Sequence, residues 1–311
     1  MVIPTLRGGA RFRACLDALL NQEAPPAAIV VVDSGSDDGT VKVATERGAR
    51  VIPVAQSNFR HGPARNLGFD ALPDVDVVVF MVQDAVPVGP RFLGELTGAF
   101  ADETLGAVTA RQIPPGDAGV LTRSTVERSP FHEALPRRTG PYKRDELAGL
   151  DPAAWRALLL LDSIALAVRR PVFEALRFRD TDFGEDALLA YDLLWAGWAL
   201  GHASEAVVEH GHEYDEDSVA ARYERDARFF RECFGLRIRP GLLSVFKGWA
   251  AELAADRRWL ASHPEHRSPE ARRASSSLRW AQVIAQYRGS RGTLGALPEK
   301  RDAPGPSGCA A

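Results

Sequence analysis

The chain has 311 residues, 25% of them charged and 45% hydrophobic, with a formal net charge of −3. That is enough apolar material for one large or two modest globular domains with a sizeable core. A charge this close to zero excludes a general nucleic-acid binder, which would need a basic face.

In chain order, Val2-Ile3 predicts a short strand stopped by Pro4-Thr5 and Gly8-Gly9. Phe12, Cys15, Leu16, Leu19 and Leu20 then recur at helical spacing,. AIVVVD is a second buried strand ending in Asp33, and SGSDDGT leads into a helix opened by Thr40,. VIPV predicts a third strand and ARNLGFDAL another helix. VDVVVFMVQDA follows, an almost unbroken apolar run that ends in Gln83-Asp84. Such a run fits a strand buried on both faces of a parallel sheet. Strand, helix, strand, helix, strand within the first 85 residues predicts a doubly wound α/β fold,.

Beyond Asp84 the pattern predicts a helix at RFLGELTGAF and a strand at AVTARQ, then an irregular segment over 112–150 rich in Pro, Gly and charge. DSIALAVRR is a strand, PVFEAL a helix opened by Pro171, and GEDALLAYDLLWAGW a helix with Glu185-Asp186 in its first turn,. EAVVEHGHEY is a strand ending in two histidines. From Ser218 the chain is mainly helical, and from Gly289 its Gly, Pro and Ser content predicts disorder,. The domain organisation expected is 1–235 as an α/β domain, 236–288 as a helical C-terminal extension and 289–311 as a disordered tail.

Asp33, Asp84, Glu185-Asp186 and His210/His212 all fall at strand ends or helix starts. In an open α/β sheet, ligands bind outside the carboxyl ends of the strands, so these groups can converge there. Carboxylates and imidazoles suit Mg²⁺ or Mn²⁺ when a phosphate supplies further oxygens, and a carboxylate at a helix start can act as a general base. Plainer readings stand beside these. Asp84 can cap the turn that follows it, Glu185-Asp186 can complement a helix dipole, and the histidines can be surface groups.

The ordered set VIPT, VVVDSGSDDGT, FRHGPARNLG, MVQDA, FGEDALLAYDLLWAGW and VVEHGHEY resembles the family 2 glycosyltransferases, and within them the rhamnosyltransferase-like group that builds bacterial surface polysaccharides. The resemblance covers roughly residues 2–235. It implies a GT-A fold, with a nucleotide-binding N-terminal half on a mostly parallel sheet. It also implies an inverting transfer from a nucleotide-diphosphate sugar, dTDP-rhamnose or a UDP-sugar, with Mg²⁺ or Mn²⁺. By the same resemblance Pro4, Thr5 and Gln83 line the nucleotide, Asp33 accepts from a pyrimidine N3–H, and Arg65 approaches the base or the diphosphate. Asp84 matches the last Asp of the DxD motif as metal ligand, His210 or His212 is the later ligand, with His210 preferred, and Asp186 matches the base of the ED motif, with Glu185 beside it. The DxD motif is reduced here to Val82-Gln83-Asp84.

A dehydrogenase is excluded because SGSDDG lacks the G-x-G-x-x-G spacing,. A sugar-1-phosphate nucleotidyltransferase would need a Gly-rich basic loop after the first strand, which LRGGARFR matches weakly, and a non-catalytic assembly scaffold would have lost Asp84 or Asp186. The three cysteines have neither metal nor CxxC spacing. Their odd number, with no signal peptide and no run approaching the roughly 18 apolar residues of a transmembrane helix, predicts a cytoplasmic protein. Met1 sits directly before a strand already under way, so the true start is expected upstream. Phe246, Trp249, Leu253, Trp259 and Leu260 lie on arginine-rich helical segments that can pack on the core, pair two subunits as a homodimer, or lie peripherally on the inner face of the membrane, where a lipid-linked glycan acceptor would be met,.

Overall fold

The structure is a computed structural model, and it describes residues 1–301 and 303–306. Its strands are β1 (Val2–Thr5), β2 (Val30–Asp33), β3 (Arg50–Pro53), β4 (Val77–Met81), β5 (Val86–Pro87), β6 (Leu105–Ile113), β7 (Arg137–Thr139), β8 (Ala165–Arg169) and β9 (Ala199–Glu209). Its helices are α1 (Gly9–Leu20), α2 (Thr40–Glu46), α3 (His61–Asp70), α4 (Phe92–Gly98), α5 (Val120–Glu127), α6 (Arg144–Ala148), α7 (Pro152–Leu158), α8 (Arg170–Leu176), α9 (Glu185–Trp195), α10 (Glu216–Phe234), α11 (Leu242–Ser262) and α12 (Pro269–Gly289).

One sheet runs β3-β2-β1-β4-β8-β6-β9-β5, with β7 added against β9. The N-terminal half is parallel, as expected: β1 pairs with β2 and β4, and β2 with β3. The other half is mixed, so "mostly parallel" holds only for β1 to β4. There β8 runs antiparallel to both β4 and β6, while β6 and β9 are parallel. This reversal positions the site. Met81 pairs with Ala165, so the start of β8 lies beside the end of β4.

The apolar run at β4 is buried on both faces because its side chains alternate across the sheet. Val78 and Phe80 enter one core cluster with Phe69, Phe173 and Phe178, and Val79 and Met81 enter the other with Phe12, Leu16 and Phe92. The Phe80 ring lies 4.6 Å from that of Phe173 and 5.0 Å from that of Phe178. Such tilted and edge-on pairs add to the area they bury.

The segment 112–150 is more ordered than its composition suggests, since it holds α5, β7 and α6. What orders it lies far along the chain. Asp256 of α11 is 2% exposed and receives hydrogen bonds from Arg279 of α12, at 2.8 and 3.0 Å, and from Ser275, at 2.6 Å. Ser124 of α5 and Arg128 also donate to it, at 3.0 and 2.5 Å. Trp259 donates its indole N–H to Glu127 at 2.7 Å. The last two helices are thereby clamped onto α5. α12 also lies so close to α10 that a Cβ at Gly289 would fall 2.2 Å from the Glu224 carbonyl oxygen. The boundary expected at 235 therefore falls inside one helical layer.

Of the apolar residues singled out on these helices, Trp259 and Leu260 turn inward, and Phe246 faces solvent with Leu242, Leu243 and Trp280. No described helix is long and apolar enough to cross a membrane. The tail expected to be disordered is instead docked over residues 290–306, apart from Asp302, although it has no helix or strand. Its carbonyls are the partners that buried aromatic groups need: Tyr191 donates to Pro298 O at 3.0 Å and Trp198 to Pro304 O at 2.8 Å,. The Lys300 ammonium sits 3.7 Å over the Trp195 ring,. The rest of that tail, with Cys309, lies outside the described residues.

Burial alone would raise the Asp256 carboxyl, but Arg279, Ser275 and Arg128 outweigh it and hold it below the usual carboxylate range. A lowered folded pKa stabilises above the unfolded value, near pH 4, and that stability is lost as pH falls through the folded value. Asp256→Ala leaves Arg279 buried without its partner. It should cost about 3–5 kcal/mol, measured by urea unfolding at pH 7, with the difference from wild type shrinking toward acid pH.

Candidate active site

Four segments meet at one edge of the sheet. β4 ends in Val82-Gln83-Asp84, and the two-residue β5 pairs Val86 with Glu209 at the end of β9. That pairing carries Asp84 to the His210-Gly211-His212 segment. The Arg11 guanidinium joins the two backbones, donating to the carbonyls of Asp84 at 3.3 Å and Glu209 at 3.2 Å. His210 Nε2 lies 3.7 Å from Asp84 Oδ1, and His212 Nδ1 lies 3.6 Å from Asp84 Oδ2. His210 is 6% exposed, whereas the His212 side chain is half open to solvent. Burial pushes the His210 imidazole down to about 4, with Asp84 opposing and His212 reinforcing the shift. At neutral pH it is a neutral ring with a lone pair available to a cation.

Across the cleft, α9 begins after Gly184, whose φ is +78°. A side chain there would be strained, and its Cβ would lie 2.5 Å from the Phe229 ring, so only glycine fits this turn,. The turn sends Glu185 and Asp186 into different surroundings. Glu185 is ion-paired with Arg65 of α3, which is 2% exposed and has the Phe178 ring 5.5 Å from its guanidinium carbon. Asp186 accepts only from its own helix, from Ala187 N at 2.8 Å. Burial, then the charges of Glu185 and Asp162, push its carboxyl up to about 7. His210 and His212 from the first cluster, and Arg65, Glu185 and Asp186 from the second, line a cleft of about 960 Å³ that residues of α5, α10, α11 and α12 also wall.

A family model described as glycosyl transferase family 2 matches residues 1–155. The O-antigen chain rhamnosyltransferase RfbN of Salmonella typhimurium is 30% identical over 240 residues, covering 75% of this chain and 72% of the relative. The O-antigen chain rhamnosyltransferase WbaN of Salmonella anatum is 30% identical over 236 residues, with the same coverage. The chain is a family 2 glycosyltransferase. Among solved structures, the mannosyltransferase PcManGT of Pyrobaculum calidifontis, in complex with GDP-Man and Mn²⁺, superposes with a TM-score of 0.56 at 20% identity, over 92% of this chain and 84% of that one. TarS 1–349 of S. aureus superposes at 0.51 and 15% identity, over 93% and 91%. These likenesses establish the GT-A fold.

For a family 2 glycosyltransferase the Asp84, His210 and His212 donor set is chemically suited to a divalent cation. Its ligand atoms lie within 4.8 Å of one another. Two atoms bound to one small divalent ion at about 2.1 Å are about 3 to 4 Å apart, and each histidine nitrogen stands at that spacing from an Asp84 oxygen, 3.7 and 3.6 Å. One carboxylate and two imidazoles leave the remaining positions for diphosphate oxygens.

The residues expected at the nucleotide are placed differently. Thr5 is buried and donates to Asp33 at 2.9 Å, and Pro4 is buried beside it in β1. Asp33, 3% exposed, also accepts from Gly35 N, Ser36 N and Ser36 Oγ at 3.0, 2.9 and 2.6 Å. These four donors hold the carboxylate against its own loop at the end of β2. Gln83 likewise exchanges two hydrogen bonds with the backbone of Leu6, at 2.9 and 3.0 Å, which locks the ends of β1 and β4 together. Arg65 holds Glu185.

Sequence reasoning missed Asp162, Gln112, His61 and the α10 arginines Arg222 and Arg225, all of which line the cleft. Asp162 was the one within reach, because it stands directly before a strand. It precedes its strand, and it reaches the site because β8 enters antiparallel to β4.

Asp84→Ala and His210→Ala should each weaken Mn²⁺ binding more than about tenfold, followed by electron paramagnetic resonance of Mn²⁺ with dTDP present. Binding unchanged from wild type in both variants would dissolve the cluster as a metal site.

Proposed function

We propose that the chain is an inverting rhamnosyltransferase, moving L-rhamnose from dTDP-L-rhamnose to a hydroxyl of a surface-polysaccharide acceptor, lipid-linked while it is being built. The observation that carries this reading is Asp186, a carboxylate with no salt-bridge partner among the described residues, held by burial near neutrality in a cleft that also holds His210 and His212 of the candidate metal cluster. The rhamnosyl donor and polysaccharide acceptor are taken from the names of the two relatives.

In this reading Asp186 accepts the proton of the acceptor hydroxyl, whose oxygen attacks the anomeric carbon on the face opposite the diphosphate. The bond to the diphosphate breaks with its electron pair, and the configuration inverts. One carboxylate suffices, because the nucleotide leaves without a proton, whereas hydrolases need two. Mg²⁺ or Mn²⁺ held by Asp84, His210 and His212 would supply positive charge against the charge developing on the leaving diphosphate. A base with a pKa near the operating pH combines availability with proton affinity. Arg65 neutralises Glu185 and so leaves Asp186 as the carboxylate free to titrate. The setting in this reading is the cytoplasm, where nucleotide sugars are made.

The donor is tested by thermal shift with dTDP- and UDP-sugars, with and without Mn²⁺, and by release of the nucleoside diphosphate. Asp186→Asn should keep donor binding and lower kcat by about 10²–10⁴-fold; near-normal turnover would move the role to Glu185. Because the base works deprotonated, kcat/KM should rise with pH through about 7. A profile already flat between pH 5.5 and pH 8 would remove Asp186 from the chemistry.

A further inference from the structure

The roles assigned so far leave Asp162, in the wall of the cleft, without a task. Asp162 and Ser163 stand immediately before β8, and Ile164 accepts from Val82 N at 3.1 Å, so this segment lies alongside the one carrying Asp84. Asp162 Oδ1 accepts from Ile164 N at 2.6 Å. β6 pairs Thr109 with Leu166 in antiparallel register, which brings Gln112, near the end of β6, to the level of Ser163 and Asp162. Gln112 is 7% exposed, and its side chain lines the same cleft as Asp162. Ser163 is 4% exposed, and its Oγ has no hydrogen-bond partner among the described residues, so a polar atom stands unsatisfied in the wall of the same cleft.

Two ends of the reacting complex bound the place this segment faces. The leaving diphosphate belongs at Asp84 and the histidines, and the base is Asp186. The anomeric carbon must lie between them, because displacement with inversion is in line. We propose that Asp162, with Gln112 and Ser163 beside it, binds the ring hydroxyls of the transferred pyranose and so selects which sugar is accepted.

The chemistry suits a polyol. A carboxylate accepts from two hydroxyls at once, and an amide and a hydroxyl each donate and accept. A sugar with a missing or inverted hydroxyl would leave polar atoms of this wall without a partner, which is how a site discriminates between sugars. This rests on the reading of the cleft as a nucleotide-sugar site and adds what recognises the sugar.

The test is calorimetric titration of dTDP and of dTDP-L-rhamnose into wild type, Asp162→Asn and Gln112→Leu. Wild type decides the donor reading by itself: no binding of dTDP or UDP would remove that reading and this proposal with it. If UDP is the nucleotide bound, the same comparison is made with UDP and UDP-glucose. Given binding, both variants should hold the free nucleotide as wild type does, which also shows that they are folded, and should bind the nucleotide sugar about tenfold more weakly. Unchanged affinity for the nucleotide sugar, or equal loss for both ligands, would overturn the proposal. So would loss of turnover in Asp162→Asn at unchanged affinity, which would give Asp162 a part in proton transfer.

Discussion

The ion pair between Arg65 and Glu185 is the interaction on which the site depends. It joins α3, from the N-terminal half, to the first turn of α9, across 120 residues of sequence. Both groups are nearly inaccessible, so neither charge could be held there without the other. The pair has two consequences. It anchors the turn that only Gly184 can make, and it spends the charge of Glu185 on Arg65. Asp186 is left as an acid in the same burial with no salt-bridge partner among the described residues. Two adjacent carboxylates thus take opposite tasks, set by surroundings and not by residue type.

A second buried charge network builds the opposite wall. Asp256, Arg279 and Arg128 fasten α11 and α12 onto α5. That contact holds α5, while β7 of the same Pro- and Gly-rich segment is held by β9. The cleft therefore lies between two units held by different kinds of contact. The sheet side has apolar clusters on both faces, and the helical side is held largely by hydrogen-bonded charge. Paired buried charges are demanding in geometry, which suits a wall that must keep one shape.

The tail makes the same point on a smaller scale. Residues low in apolar content cannot form a core of their own, but their backbone carbonyls can serve someone else's core. Tyr191 and Trp198 are large, buried and polar at one end, and Pro298 and Pro304 supply the acceptors they lack.

The local pattern determined a good deal. Val77–Met81 is buried on both faces because an apolar run with no polar alternation has no face to give to water,. Asp84, Asp186, His210 and His212 were legible because ionisable groups directly after a strand or at a helix start have few structural reasons to be there. The tertiary structure decided what depends on partners remote in sequence. The direction in which β8 enters the sheet is invisible in DSIALAVRR, yet it brings Asp162 to the site. Asp33 and Gln83 have the right identity and place for a nucleotide, and the fold ties them to Thr5, Ser36 and Leu6. Arg65 and Arg279 look alike as isolated cations, and only the fold shows that one faces Glu185 and the other Asp256. A sequence states which groups can ionise or donate; which partner satisfies each is a property of distance in space, and that is fixed only when the chain has closed on itself.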